Sequence, residues 1–258
     1  MAYGTQIVND VDPKRYVAPA DALKDRIVLI TGAGDGIGKA VALAVAAHGG
    51  TVLLLGRTVK KLEAVYDRIV AAGGAAPAIV PFDLERAQAD HYRSVSDAIA
   101  KAYGRLDGLL HNAALFGART PIEQFDVPLW NRVLHVNLTA PMILTQTCLP
   151  WLGLAKDASV VFTTCDVGRD PRAYWGAYAV SKHASDGLMR MLADEYSRSR
   201  QLRFNSIDPG KVRTRRRLET FPGESAAALV EPAAIVAPYL FLLGPAAAGI
   251  SGRVIDAQ

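Results

Sequence analysis

Cysteine is scarce in this chain. Two residues of 258, Cys148 and Cys165, are too few for a disulfide framework and lack metal-ligand spacing. A reducing compartment is the expectation. No apolar run is both long enough and free enough of charge to span a bilayer. The N-terminus, with Asp10, Asp12, Lys14 and Arg15, carries no apolar segment of the signal-peptide kind. A cytoplasmic protein with no membrane contact is therefore expected. A formal net charge of +4 allows an anionic ligand but falls short of a nucleic-acid-binding composition. His111, His135 and His183 have no partner spacing for a metal, so no metal site is expected. Tandem repeats, low-complexity tracts and domain-dividing linkers are missing too.

What is present is α/β alternation on a half-apolar composition, in a chain long enough to bury one large core. Residues 1–24 are mixed and contain Pro13 and Pro19; they read as an extension lying on the surface, before a single domain over 25–258. The first strand, at 26–30, is apolar without alternation, as a strand covered on both faces should be. Further strands are expected at about 51–55, 78–82, 106–111, 159–164, 203–207 and 253–256. Between them lie helical stretches at about 39–48, 59–72, 87–103, 122–154, 174–199 and 233–243. Such alternation implies right-handed crossovers and a parallel sheet. Pro128 and Pro141 predict a break or kink in the long stretch.

Directly after the first strand comes Thr31-Gly32-Ala33-Gly34-Asp35-Gly36-Ile37-Gly38, and directly after that a helix. A glycine-rich turn in this position lets the backbone approach a pyrophosphate, whose charge the helix N-terminus then meets. The spacing of Gly32, Gly36 and Gly38 differs from the commonest fingerprint, so position is what makes the turn a candidate. At the end of the second strand Gly56 offers no carboxylate to a ribose diol, while Arg57 offers a guanidinium suited to a 2′-phosphate. NADP(H) is thereby favoured over NAD(H), with Asp35 opposing, since its charge would repel that phosphate. An exposed strand-end arginine is the competing reading of Arg57.

Tyr178 and Lys182 stand four residues apart in the 174–199 stretch, on one face if it is helical. A lysine so placed is expected to lower the phenol's pKa toward the operating pH, making the tyrosine an acid/base for a carbonyl or alcohol.

The glycine turn, Asn112-Ala113-Ala114, Asn137 and the Tyr178–Lys182 pair, in this order, resemble the short-chain dehydrogenase/reductase superfamily. The resemblance implies a doubly wound, three-layer Rossmann-type α/β fold with a seven-stranded parallel sheet. It also implies a homotetramer or dimer acting on a small-molecule alcohol or carbonyl. It assigns Thr31 to Gly38 to the dinucleotide turn, Asp83 and Leu84 to the adenine, and Asn112, Ala113 and Ala114 to the passing cofactor. Pro209, Gly210, Val212 and Thr214 fall in the loop covering the nicotinamide, Asn137 on the relay water, and Tyr178 with Lys182 on proton transfer and the nicotinamide ribose.

One position departs from the pattern. The family's catalytic serine lies thirteen residues before the tyrosine, and here that residue is Cys165. A thiol is a weak donor. Either the site works at a reduced rate, or Thr164 supplies the hydroxyl from the opposite face of the strand end, or the chain binds cofactor as a regulatory or scaffold protein with little turnover. The arginines between Lys211 and Glu231, a stretch read as the substrate lid, suggest an anionic or acyl-carrier-linked substrate; solvation is the competing explanation.

Overall fold

The computed structural model describes residues 11–199 and 201–258. Seven strands form one sheet: β1 (Ile27–Thr31), β2 (Thr51–Gly56), β3 (Ala78–Pro81), β4 (Gly108–His111), β5 (Ala158–Thr163), β6 (Leu202–Asp208) and β7 (Val254–Asp256). Their order is β3-β2-β1-β4-β5-β6-β7, and every pairing is parallel. The helices are α1 (Gly36–Ala47), α2 (Val59–Ala71), α3 (Ala89–Tyr103), α4 (Val127–Leu134), α5 (Ala140–Leu152), α6 (Asp166–Arg169), α7 (Gly176–Glu195), α8 (Arg215–Thr220) and α9 (Ala237–Leu243).

Alternate residues of each central strand serve opposite faces. Val28, Ile30, Val52 and Leu54 join α1, α2 and α9 in one core. Leu29, Leu53, Leu109 and Val160 join α3, α5 and α7 in the other. Both faces are covered, giving the expected three-layer, doubly wound fold.

Three local outcomes refine the sequence reading, the second of them the expected break at the prolines. Of the extension, residues 1–10 lie outside the described residues; beyond them Tyr16 meets Phe241 edge-on at 5.3 Å and Leu23 is fully buried, so this segment is part of the core. The long helical stretch divides at two places. Asp126 accepts from Leu129 N at 2.7 Å and starts α4 ahead of Pro128, while His135–Thr139 form a π turn leading into α5. Pro141 has no N–H, so it cannot close the helical bond to the Asn137 carbonyl, which is the local reason for the irregularity. Third, the lid contains a short helix, α8, capped by Thr214 Oγ1, which accepts from Arg217 N at 3.2 Å. The base of the lid is closed by a Val212–Val230 bridge and an Arg213–Glu231 ion pair at 3.0 Å.

Candidate active site

At the carboxyl end of β1 the chain turns through Gly32 and Gly36, both at positive φ, into α1. A Cβ on Gly38 would lie 2.3 Å from the Gly32 carbonyl oxygen, so no other residue fits. Thr31 ties this turn to the next strand: its Oγ1 accepts from Asn112 N (2.9 Å) and Ala113 N (3.1 Å) and donates to Leu110 O (3.2 Å). The result is a bare backbone cradle at a helix N-terminus, which suits the approach of a pyrophosphate.

Asp35 does not oppose an anion as the sequence suggested. Its Oδ1 caps Gly36 N at 2.9 Å, and its Oδ2 lies 2.5 Å from Lys61 Nζ and 3.8 Å from Arg215 Nε. The hydrogen bond from Lys61 holds its carboxyl below the usual carboxylate range. Two cations therefore answer its charge, one of which, Arg215, also lies 3.7 Å from Glu219. Arg57 is 65 % exposed and lies 3.7 Å from Glu85, an acid already held by Arg132 at 2.6 Å, so its guanidinium is loosely engaged. Asp83 Oδ1 accepts from Glu85 N at 3.1 Å, and Leu84 is buried in the α3-side core.

Across the cleft, α7 carries Tyr178 and Lys182 on one face, with Lys182 Nζ 5.8 Å from the centre of the phenol ring. Lys182 is buried and donates to Thr163 O at 2.6 Å. Cys165 starts α6 at the end of β5, and its thiol is close enough to the Tyr178 hydroxyl for each to shift the other's pKa. Thr164 does not replace it. Its hydroxyl donates to Asp186 at 2.8 Å on the far side, because neighbours at a strand end point to opposite faces. Asp186 also accepts from Ser206 Oγ at 2.7 Å, and it continues the Tyr178–Lys182 row one more turn down α7.

The expected acidification of the phenol is not found. Burial pushes the Tyr178 pKa well above its ordinary value and Cys165 adds to the rise, while Arg216 is the positive charge that opposes it. Burial also lowers Lys182 and raises the Cys165 thiol. Desolvation outweighs charge here, leaving a phenol that is protonated at neutral pH.

Asn137, in the π turn, spends its side chain on the scaffold. Its Oδ1 accepts from Leu115 N at 2.7 Å, and its Nδ2 donates to Leu115 O and Ser181 Oγ, each at 2.9 Å. It thus fastens the loop after β4, which contains Ala114, to α7. Gly210 has φ +69°, a geometry glycine adopts easily, and its N–H donates to Asp208 Oδ1 at 2.9 Å. Thr214 touches the glycine turn, since a Cβ on Gly36 would come 3.1 Å from its Cγ2. Arg169 bridges Asp208 (2.6 Å) and Asp256 (2.8 Å), holding the ends of two strands together. His111 Nε2 meets Thr145 Oγ1 at 2.8 Å and His183 Nδ1 meets Gly168 O at 2.8 Å, both structural contacts. No cluster of metal-binding side chains occurs among the described residues.

Several neighbours of Tyr178 escaped the sequence reading. Phe116 lies 5.1 Å from its ring, Trp175 6.1 Å, and Phe221 lies 5.8 Å from Trp175. Trp175 alone had been legible, as the aromatic preceding α7. The i, i+4, i+8 spacing of Tyr178, Lys182 and Asp186 was a signal available in the sequence; nothing local pointed to Phe116 or Phe221.

Comparison with known proteins agrees with this geometry. The family model of short chain dehydrogenases matches residues 26–225. An uncharacterized oxidoreductase, YciK, of Escherichia coli (strain K12) is 43% identical over 243 residues, 94% of this chain and 96% of the relative. The solved structure of a short chain dehydrogenase candidate from Pseudomonas syringae superposes with a TM-score of 0.93 at 46% identity, covering 94% of this chain and 98% of the other. One from Escherichia coli CFT073, complexed with NADPH, gives 0.90 at 43% identity, covering 93% and 99%. With sequence and fold matching over most of its length, this chain belongs to the short-chain dehydrogenase family of oxidoreductases.

Proposed function

We propose that the protein is an NADP(H)-dependent reductase of a carbonyl compound, in which proton donation by Tyr178 is coupled to hydride delivery from the cofactor. The observation that carries this reading is the convergence of Tyr178, Lys182 and Cys165 at the carboxyl ends of the strands, facing a glycine cradle whose one carboxylate, Asp35, is held by Lys61. The NADPH complex of the Escherichia coli CFT073 relative supports the choice of cofactor, as does the loosely held Arg57. Thr31 to Gly38 would hold the pyrophosphate, Arg57 the 2′-phosphate, Asp83 and Leu84 the adenine, and Asn112 to Ala114 with Pro209, Gly210, Val212 and Thr214 the nicotinamide half.

NADP(H), when bound, supplies or accepts the hydride. Tyr178 gives its proton to the carbonyl oxygen, a role that suits a phenol kept neutral by burial. Cys165 offers a second, weaker hydrogen bond to the same oxygen. Lys182 stabilises the phenolate left behind and is placed to bind the nicotinamide ribose. A relay water would rest on the main chain of Asn137, whose side chain is committed elsewhere. In the reverse direction Tyr178 must first lose its proton, so alcohol oxidation should need alkaline pH.

An anionic substrate fits the lid, though not through all three consecutive arginines. Arg215 is met by Asp35 and Glu219, and Arg217 is paired through two bonds to Glu224. Arg216 has no acid within ion-pair reach among the described residues and feels the charges of Tyr178 and Arg57. Self-association as a dimer or tetramer belongs to the same reading.

The test is NADPH consumption over a broad carbonyl panel with wild type and Tyr178→Phe. Turnover in wild type that is lost in the variant supports a reductase. Tight NADPH binding with no turnover of any compound would favour the rival, a cofactor-binding regulatory protein, for which Cys165 at the serine position is the supporting observation.

A further inference from the structure

The side of the cleft away from the glycine turn is built from rings. Phe116 follows β4, Trp175 precedes α7 and Phe221 ends α8, yet the three stand together: Phe116 is 5.7 Å from Trp175, and Trp175 is 5.8 Å from Phe221. Phe116 and Trp175 both flank Tyr178. Three distant parts of the chain thus bring flat apolar faces to the group that handles the proton.

Arg119 lies across two of these faces. Its guanidinium carbon is 5.1 Å from the Trp175 ring and 5.4 Å from the Phe221 ring. Among the described residues no carboxylate lies within ion-pair reach of it. Its neighbours on the same rings differ in this respect. Arg172, 5.7 Å over Trp175, is paired with Asp166, and Arg217, 4.0 Å over Phe221, is paired with Glu224. A guanidinium held over aromatic rings, with no acid paired to it, keeps N–H donors available, and their fork matches a carboxylate. The other acid-free arginine of the cleft, Arg216, follows the residue that reaches Asp35 and so stands toward the cofactor side. Arg119 is on the substrate side.

We propose that Phe116, Trp175, Phe221 and Arg119 form the substrate subsite, and that it takes a flat, ring-bearing carbonyl compound whose carboxylate sits about one ring-width from the reacting carbon. This rests on the reductase reading above. The ring of the compound stacks on Trp175 and Phe116, which sets its carbonyl at Tyr178, and the carboxylate takes the fork of Arg119. A long acyl chain on a carrier would leave both features without use, since it has neither a flat body nor an anion so near the carbonyl.

The probes are 4-acetylbenzoate and its methyl ester, tested with NADPH on wild type, Arg119→Met and Phe221→Leu. Arg119 is exposed, so its replacement should leave the melting temperature unchanged. The proposal expects wild type to prefer the acid by roughly 10- to 100-fold in kcat/KM. It expects Arg119→Met to abolish that preference through KM, with the ester unaffected, and Phe221→Leu to weaken both probes. Equal handling of acid and ester by wild type, or equal loss for both in Arg119→Met, would overturn it. Binding of 4-acetylbenzoate to the protein with NADP⁺ is measured by calorimetry in parallel. Binding that depends on Arg119 supports the subsite even where neither probe is reduced, and absence of binding refutes it. Failure of the reductase reading shows separately, as no NADPH consumption with any carbonyl compound.

Discussion

The two ends of the central strands use the same residue types in opposite ways. At the amino ends, Arg203 is almost wholly buried and fully answered: it donates to Asp157 at 2.7 and 2.9 Å and to the Leu242 and Gly244 carbonyls at 3.0 Å. Arg26 shares Asp157 at 3.1 Å and also donates to the Asp107 carbonyl, and Asp107 accepts from Ile27 N at 2.9 Å. Within this network, among the described residues, Arg26 Nε is left without a partner, as is Ser159 Oγ near the start of β5. At the carboxyl ends, Lys182 is buried against a carbonyl, the Tyr178 hydroxyl has a thiol for a neighbour, and among the described residues Lys182, Arg119 and Arg216 form no ion pair, although Arg216 feels the charge of Glu219. A network that closes on itself holds strands in register. One left short of acids is ready for an anion from outside.

Breaking the closed end should have the largest effect. Arg203→Met leaves the part-buried Asp157 with Arg26 alone and takes the donor from the buried Leu242 and Gly244 carbonyls, and is expected to cost about 3–5 kcal/mol of unfolding free energy in urea titration. A loss below about 1 kcal/mol would mean that the amino-end network is not structural. At the open end, Cys165→Ser replaces a weak donor by a strong one. It should raise kcat by up to about 10²-fold with stability unchanged, whereas no change would mean that this position does not touch the reacting oxygen.

The effect that is smallest near neutral pH sharpens the comparison, because it concerns a group at the open end that the fold keeps neutral. Burial, assisted by the charge of Lys182, lowers the His111 pKa to about 3. Between its ordinary value near ~6.5 and about 3, the unfolded chain takes up a proton that the fold refuses, so stability falls as pH drops through this range. The expected slope is about 1.4 kcal/mol per pH unit. His111→Gln should remove it in acid unfolding curves; an unchanged slope would locate the acid sensitivity elsewhere.

Much of the fold was legible in the sequence because parallel strands covered on both faces leave apolar runs, and because helices between them are obligatory. The glycine turn and the Tyr178–Lys182 row were legible for a similar reason: each depends on spacing within one element. The alternation rule even anticipated that Thr164 faces away from Tyr178. What was hidden depends on contacts between distant segments. Leu23 looks like part of a polar extension until its core partners are known, and α8 is disguised by its run of arginines. The surroundings of Asp35 and of the phenol were hidden for one reason. Charge is readable from sequence, but the neighbours that neutralise it and the burial that outweighs it are not.

The most direct measurement of the central claim is a single-turnover experiment with NADPH deuterated at nicotinamide C4 and a carbonyl substrate, comparing wild type with Tyr178→Phe at equal cofactor occupancy. The account predicts deuterium on the carbinol carbon from wild type and a transfer rate lower by about 10²–10⁴ in the variant. Equal transfer rates in the two proteins would contradict it.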